Sequence, residues 1–338
     1  MAITIEDVAR EANVSISSIS RVINGSKSVS PQLRLRVDAA IEKTGYRPNA
    51  LARSLIINRT YTVGLVVYDI SNPVMAVIAK GINSVCQRSG YTVMICETGG
   101  KRETELHLLE KLSQQHIDGL VFSGVSVDRA LADRLLAVDY PVVMVNLQES
   151  DGQTRIETIS CDNCRAMYDA TAMLIASGHR KIAMIGGQED DYTAGRLRVA
   201  GYRQALGEAG IEEPEGYMQY GDFSFESGYQ AMQRIYEECF ELPTAVVVAS
   251  DLMAVGTMKS AVNLGLSVPE DMSIIGFDDS ELSRYTTPAL STVRVPYFEE
   301  GVQAAETLLA RIENPQAEPK LSYVPHKVIR RGSIRRMK

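Results

Sequence analysis

The sequence predicts an α/β protein, with an N-terminal all-α helix-turn-helix headpiece followed by a two-lobed core on parallel sheets. Three observations predict it. Over the first 47 residues apolar side chains recur at helical spacing between capping residues. From residue 61 short Val/Ile-rich runs alternate with longer amphipathic stretches, the βαβ pattern of parallel sheets covered by helices. That series runs through once and then restarts, so two sheets are expected, not one.

Taken in order, Thr4 caps a first helix whose opening turn holds Glu6 and Asp7 and whose apolar positions are Ile5, Val8, Ala9 and Ala12. Asn13 breaks it and Ser15 caps the second helix, where Ile19, Val22 and Ile23 form the apolar face. "NGS" at 24–26 marks a turn, and "SP" at 30–31 starts a third helix with Leu33, Val37, Ala40 and Ile41 as its stripe. Two short helices on a tight turn, braced by a third, is the helix-turn-helix plan. Short Ser17 and Ser18 permit close approach to a DNA groove, and Arg21 can reach a guanine or a phosphate. An ordinary surface helix with a polar face would show the same pattern. "YRPNALARSLIINRT" (46–60) predicts a helix over about 49–57, too short to stand alone and suited to a linker that orders on DNA. Its leucines would wedge into a minor groove or pack on the body.

In the body, "TVGLVVYD", "YTVMICE", "GLVFSG" and "PVVMVN" are the first set of strands, with helices over 73–89, 102–116 and 127–138. "KIAMIGG", "YMQYGDF", "TAVVVASD" and "SIIGFDD" are the second set, with helices near 194–209, 225–240 and 252–264. The tail, with a helix near 297–313, crosses back between the lobes. The organisation expected is a headpiece over 1–47, a hinge over 48–60 and a core over 61–335. Its N-lobe spans about 61–160 and 293–320, its C-lobe about 161–292 and 321–335. Ligands of such sheets sit beyond the C-terminal strand ends. Asp69, Asn72, Asn146, Asp162, Asp278 and Asp279 stand there. Two carboxylates can chelate hydroxyls, Arg198 can anchor an oxygen and Phe223 can stack on an apolar face, although strand-end Asp residues also cap helices.

The 338 residues carry a formal charge of −7 and are 45% hydrophobic, enough for large cores. Residues 1–60 hold nine Lys/Arg and five Asp/Glu, a net of +4, so the remaining 278 carry −11. A basic head on an acidic body is the asymmetry expected of one end that meets a polyanion. The five cysteines are odd in number and scattered, as for reduced thiols in a cytosol. The N-terminus lacks a basic, then apolar, leader, and no apolar run is long enough for a bilayer, so a cytoplasmic protein is expected. "CDNC" at 161–164 has no second pair, the four His are isolated, and no Walker loop, full GxGxxG or GxSxG is present. No catalytic residue, metal or cofactor is therefore expected. A cytosolic sugar-processing enzyme with an accessory head, its constellation discontinuous, is the alternative.

The stretches "TIEDVAREANVSISSISRVING", "VSPQLRLRVDAAIEKTGYRPNALARSL", "VGLVVYDISNPV", "GHRKIAMIGG", "SDLMAVG" and "VPEDMSIIGFDD" strongly resemble the LacI/GalR family of bacterial transcription regulators. The resemblance runs from residue 3 to about 330. It implies a hinge helix, a core like periplasmic sugar-binding proteins, and a homodimer on a pseudo-palindromic double-stranded DNA operator, controlled by a small-molecule effector. Sugars, sugar phosphates and nucleosides or purines are the effector classes expected. By position, Thr4, Ser15, Ile16, Ser17, Ser18, Arg21 and Asn24 match headpiece contacts to DNA, with Ile16 and Ser17 at the sites that vary most with operator. Asn49, Ala52, Arg53 and Leu55 match the hinge, Leu55 the lever at a central CG step. Asp69, Asn146, Arg198, Phe223, Ser250, Asp278 and Tyr297 match effector-cleft positions, although Ser250 stands where sugar binders often carry Asn and Ala194 where several relatives have a hydroxyl. No tetramerising tail follows "RRGSIRRMK", which favours a dimer. The chain is also similar to the catabolite control proteins of Gram-positive bacteria, which implies a rival gate, a phosphorylated phosphocarrier protein; Arg198 argues against it.

Overall fold

The computed structural model describes residues 3–23, 29–46, 59–316 and 318–337. The chain divides into two units, Met1–Thr60 and Tyr61–Lys338.

In the first unit, α1 (Ile5–Ala12), α2 (Ile16–Ile23) and α3 (Pro31–Thr44) follow the expected order. The Thr4 backbone N–H donates to Asp7 Oδ2 at 2.9 Å, and the Asp7 N–H returns a bond to the Thr4 hydroxyl. This reciprocal capping box starts α1. Asn13, in a left-handed conformation with φ 50°, stops it. Ser30 caps α3 ahead of Pro31, and Gly45 ends it at φ 66°. Val8, Ala9, Ala12, Ile19, Val22, Val37 and Ala40 close a small core. Arg36 donates to the Ala12 and Asn13 carbonyls at 2.7 and 3.0 Å, tying α3 to the end of α1. The expected hinge lies almost wholly outside the described residues.

The second unit opens with β1 (Thr62–Val67), α4 (Pro73–Arg88), β2 (Thr92–Glu97), α5 (Arg102–Gln114), β3 (Gly119–Ser123), α6 (Arg129–Leu136), β4 (Val142–Val145), β5 (Glu157–Cys161) and α7 (Asn163–Ala176). It continues with β6 (Ile182–Gly186), a π-turn (Tyr192–Arg196), α8 (Leu197–Glu208), β7 (Met218–Tyr220), α9 (Phe225–Glu238), β8 (Ala245–Val248), α10 (Asp251–Asn263) and β9 (Ser273–Ile275). After a one-turn α11 (Leu282–Tyr285) come β10 (Thr292–Arg294), α12 (Tyr297–Glu313), β11 (Leu321–Val324) and β12 (Lys327–Ile329). The first sheet has the order β11-β5-β4-β3-β1-β2 and the second β7-β6-β8-β9, all neighbours parallel. Strands buried on both faces, such as VGLVV and AVVV, read as apolar runs because helices cover each side.

Two expectations are corrected. Residues 321–324 were expected in the C-lobe, but β11 pairs with β5 in the first sheet. The chain crosses back only afterwards, where β12 pairs antiparallel with β10. The sequence series also jumped from "PVVMVN" to "KIAMIGG" and passed over β5 and α7. Strand β5, "ETISC", is buried throughout, but three of its five side chains are polar. Its Glu157 is neutralised by Arg311 from α12, a partner distant in sequence.

Helices α4 and α12 cross closely enough that a Cβ on Gly81 would lie 2.2 Å from the Phe298 carbonyl oxygen, and one on Gly301 2.2 Å from that of Ile78. This contact returns the tail to the first sheet and fixes Tyr297, at the start of α12, beneath the strand ends.

Candidate functional site

A cavity of about 260 Å³ opens beyond the C-terminal strand ends of the second unit. Every effector position expected there lines it: Asp69, Asn146, Arg198, Phe223, Ser250, Asp278 and Tyr297. Asn72 joins them, but Asp162 and Asp279 do not. Asp162 caps α7 by accepting from the Arg165 N–H at 2.9 Å. Asp279 is bound by Arg294 at 2.6 Å and by Arg331, and those guanidinium groups hold its carboxyl below the usual range despite its burial.

The backbone is bent to aim these groups. Asn146 (φ 53°), Phe223 (φ 67°) and Asp278 (φ 119°) all sit at positive φ, which non-glycine residues adopt only where the surroundings enforce it. Asn146 is held because its N–H donates to the Ile159 carbonyl at 2.9 Å. Asp278 is held by its N–H to the Val293 carbonyl at 2.8 Å. Phe223 lies on Gly187, where a Cβ would come within 2.3 Å of its ring.

Arg198 is only 4% exposed. Its Nε donates to Asn163 Oδ1 at 2.8 Å, its Nη1 donates to the Ala249 carbonyl, and its guanidinium carbon stands 3.6 Å from the Phe277 ring centre. These contacts fix its orientation and offset its desolvation. The Tyr297 hydroxyl donates to Asp278 Oδ1 at 2.7 Å. Burial pushes the Asp278 carboxyl up, and Arg198 and Tyr297 pull it partly back. Asp251, next to it, is raised by burial and by Asp278 itself, so the two titrate as a pair. Thr292 and Ser280 hydroxyls and the Ser280 N–H donate to Asp251 at 2.6, 3.0 and 2.7 Å.

Sequence reasoning missed Tyr68, Asp191 and Asp222 in the lining and Asp251 and Glu300 behind it. Asp191 and Asp222 look like any loop acid in the sequence. Glu300 falls on the buried side of α12 beside Tyr297, a polar residue on an otherwise apolar stripe. Its carboxyl is fully buried, and burial pushes it up to about 8 although the Asn146 N–H and Arg198 pull the other way.

In the first unit, α2 buries Ile19 and Val22 and exposes Ile16, Ser17 and Arg21. Ser15 is partly committed: its hydroxyl lies 2.8 Å from that of Ser17 and 2.9 Å from that of Ser18, and it accepts from the Ser18 N–H. Thr4 is exposed, with its hydroxyl on Asp7. Asn24, Asn49, Ala52, Arg53 and Leu55 lie outside the described residues.

Residues 4–49 match the family model described as bacterial regulatory proteins, lacI family, and residues 171–334 match that of a periplasmic binding protein-like domain. The chain is 36% identical over 335 residues to catabolite control protein A of Priestia megaterium, covering 99% of this chain and 100% of that protein. The chain belongs to the lacI family. Another relative, the ribose operon repressor of Escherichia coli strain K12, is 36% identical over 334 residues, 98% of this chain and 99% of that one. The structure of the lac repressor dimer bound to operator and the anti-inducer ONPF superposes with a TM-score of 0.90 at 26% identity, over 99% of this chain and 100% of that one. As a lacI-family member the chain is a DNA-binding transcriptional regulator with an effector-binding core. Among the described residues no helix is long and apolar enough to cross a membrane, and no group of three His, Cys, Asp or Glu could hold a metal. All five cysteines are thiols.

Proposed function

We propose that this chain is a cytoplasmic repressor that binds a pseudo-palindromic operator as a homodimer and is released or engaged by a small molecule held in the cavity. The observation that carries the reading is one fold with two built sites. Helix α2 presents a polar row, Ser17 and Arg21, one turn apart on its exposed face. The core presents a cavity whose lining backbone is held at positive φ by its own hydrogen bonds.

In this reading Arg21 contacts a base edge, Ile16 and Ser17 set operator preference, and Thr4, Ser15, Ser18 and Asn24 approach the phosphates. Asn49, Ala52, Arg53 and Leu55 serve the hinge, with Leu55 as a minor-groove wedge. In the cavity Asp278, Asp69 and Asn146 take ligand hydroxyls, Arg198 takes an oxygen, Phe223 stacks on an apolar face, and Ser250 and Tyr297 frame the site. The cavity lies between two sheets, so a ligand that prefers one arrangement of the lobes shifts the population and with it operator affinity.

Fluorescence anisotropy with operator and scrambled duplexes tests the DNA reading. Arg21→Ala is expected to weaken operator binding by roughly 1–3 kcal/mol while barely changing affinity for the scrambled duplex. Equal loss on both would remove the base-reading role. The similarity to catabolite control protein A supports a second gate, a phosphorylated phosphocarrier protein. Calorimetry with that phosphoprotein separates the two, since a small-molecule-gated protein gives no heat with it.

A further inference from the structure

The cavity is arranged to turn anions away. Four carboxylates, Asp69, Asp191, Asp222 and Asp278, line it against Arg198 as the single cation among the described lining residues. A phosphate group needs clustered cations or the open N–H groups at a helix start. Arg198 is one cation against four acids, and its Nε and Nη1 are already committed to Asn163 and the Ala249 carbonyl, so it can hold a single ligand oxygen but not the several of a phosphate.

Each helix start around the cavity also has one of its N–H groups taken by a side chain. Asn72 Oδ1 accepts from the Val74 N–H at 2.9 Å at the head of α4. Ser224 Oγ accepts from the Ser227 N–H at 3.1 Å at α9, and Ser250 Oγ from the Met253 N–H at 3.2 Å at α10. Asp191 does the same for the π-turn, accepting from the Ala194 N–H at 2.8 Å. Where a phosphate would collect amides, a side chain of the protein already sits. Acceptor oxygens beside the Phe223 and Tyr68 rings remain, a lining that suits a molecule rich in O–H donors with an apolar ring face. The cavity is smaller than the ~300–1,000 Å³ of most drug-sized sites, which limits the occupant to about one sugar ring.

We infer that the effector is an uncharged polyhydroxylated molecule of monosaccharide size and that its phosphate ester is rejected. The inference rests on the proposed effector role of this cavity. It is tested on the full chain by thermal shift and calorimetry at pH 7.5 with ribose, glucose, galactose and myo-inositol, each beside its phosphate monoester, and with adenosine and guanine. At least one parent polyol is expected to raise the unfolding midpoint, with its ester at least about tenfold weaker, since uncompensated like charges oppose it. In the double variant Asp222→Asn/Ser224→Gly, which removes one charge and uncaps α9, the ratio of ester to parent affinity is expected to rise about tenfold.

An ester that binds as well as its parent, a purine that outcompetes every polyol, or a panel with no binding polyol overturns the inference. So does a double variant that folds with the ratio unchanged; if it does not fold, the wild-type pairs decide alone. Operator retention by the same preparations reports separately on the regulatory reading. Its loss with the discrimination intact would sink that reading only.

Discussion

Glu300 shows how far one side chain can depart from solution behaviour. A fully buried carboxyl favours its neutral form, and here burial outweighs the Asn146 N–H and Arg198 and moves its titration from an ordinary 4.5 up to about 8. Between those values the folded protein binds a proton that the unfolded chain does not, so stability falls as pH rises through this window and the loss is complete above about 8. Glu300→Gln removes the titration and keeps the shape. It is expected to stabilise the protein at pH 8.5 by a few kcal/mol, at about 1.4 kcal/mol per pKa unit, and to leave stability at pH 4 nearly unchanged. Urea melts across pH 4–9 check this, and parallel curves for both proteins would mean that Glu300 is not the titrating group. Asp278 departs in the same direction but is positioned differently. Burial raises it, while Arg198 and the Tyr297 hydroxyl favour its charged form and pull it part of the way back. Asp278→Asn is expected to abolish the ligand-induced midpoint shift while the protein stays folded, because Asn keeps an acceptor for Tyr297. A full-sized shift in that variant would remove Asp278 from the site.

At the scale of elements, the cavity depends on helix crossings that the lining residues do not reveal. Tyr297 and Glu300 are placed by the α4–α12 contact, and that contact exists because Gly81 and Gly301 let two backbones meet. Gly301→Ala puts a methyl group 2.2 Å from a carbonyl oxygen that cannot rotate away. The helices must separate, at about 1–3 kcal/mol or more. The same displacement moves Tyr297 off Asp278, so ligand affinity is expected to fall along with the unfolding midpoint. A variant that loses stability but keeps full ligand affinity would uncouple the crossing from the cavity. The headpiece follows a different rule. Its three helices are short, and caps at Thr4, Ser15 and Ser30 carry much of their definition.

For the whole molecule, the governing feature is the segregation of charge. A head of net +4 on a body of −11 aims one end at a polyanion and keeps the other off it. Operator affinity is therefore expected to fall steeply with salt, by roughly 10³-fold or more between about 50 and 200 mM if six phosphates are contacted. Binding that ignores salt would show that phosphate neutralisation does not drive the complex. Sedimentation of the free and operator-bound protein tests the dimer on which a two-fold site depends.

How much of this was legible in the sequence depends on the range of the forces involved. The sequence by itself determined the three head helices, the strand–helix alternation and most strand positions, because capping, apolar periodicity and β-branched runs act between near neighbours. It also pointed to Asp69, Asn146 and Asp278, since strand ends can be found by counting. It was silent on β5, whose buried Glu157 is neutralised by Arg311, 154 residues away. Counting strand ends did not separate Asp278, which faces the cavity, from its neighbour Asp279, which faces Arg294 and Arg331; only the family resemblance singled out Asp278. The tertiary structure alone decided that Asp191 and Asp222 line the same cavity and that Glu300 is buried behind it, because burial and long-range pairing depend on which distant segments the two sheets bring together.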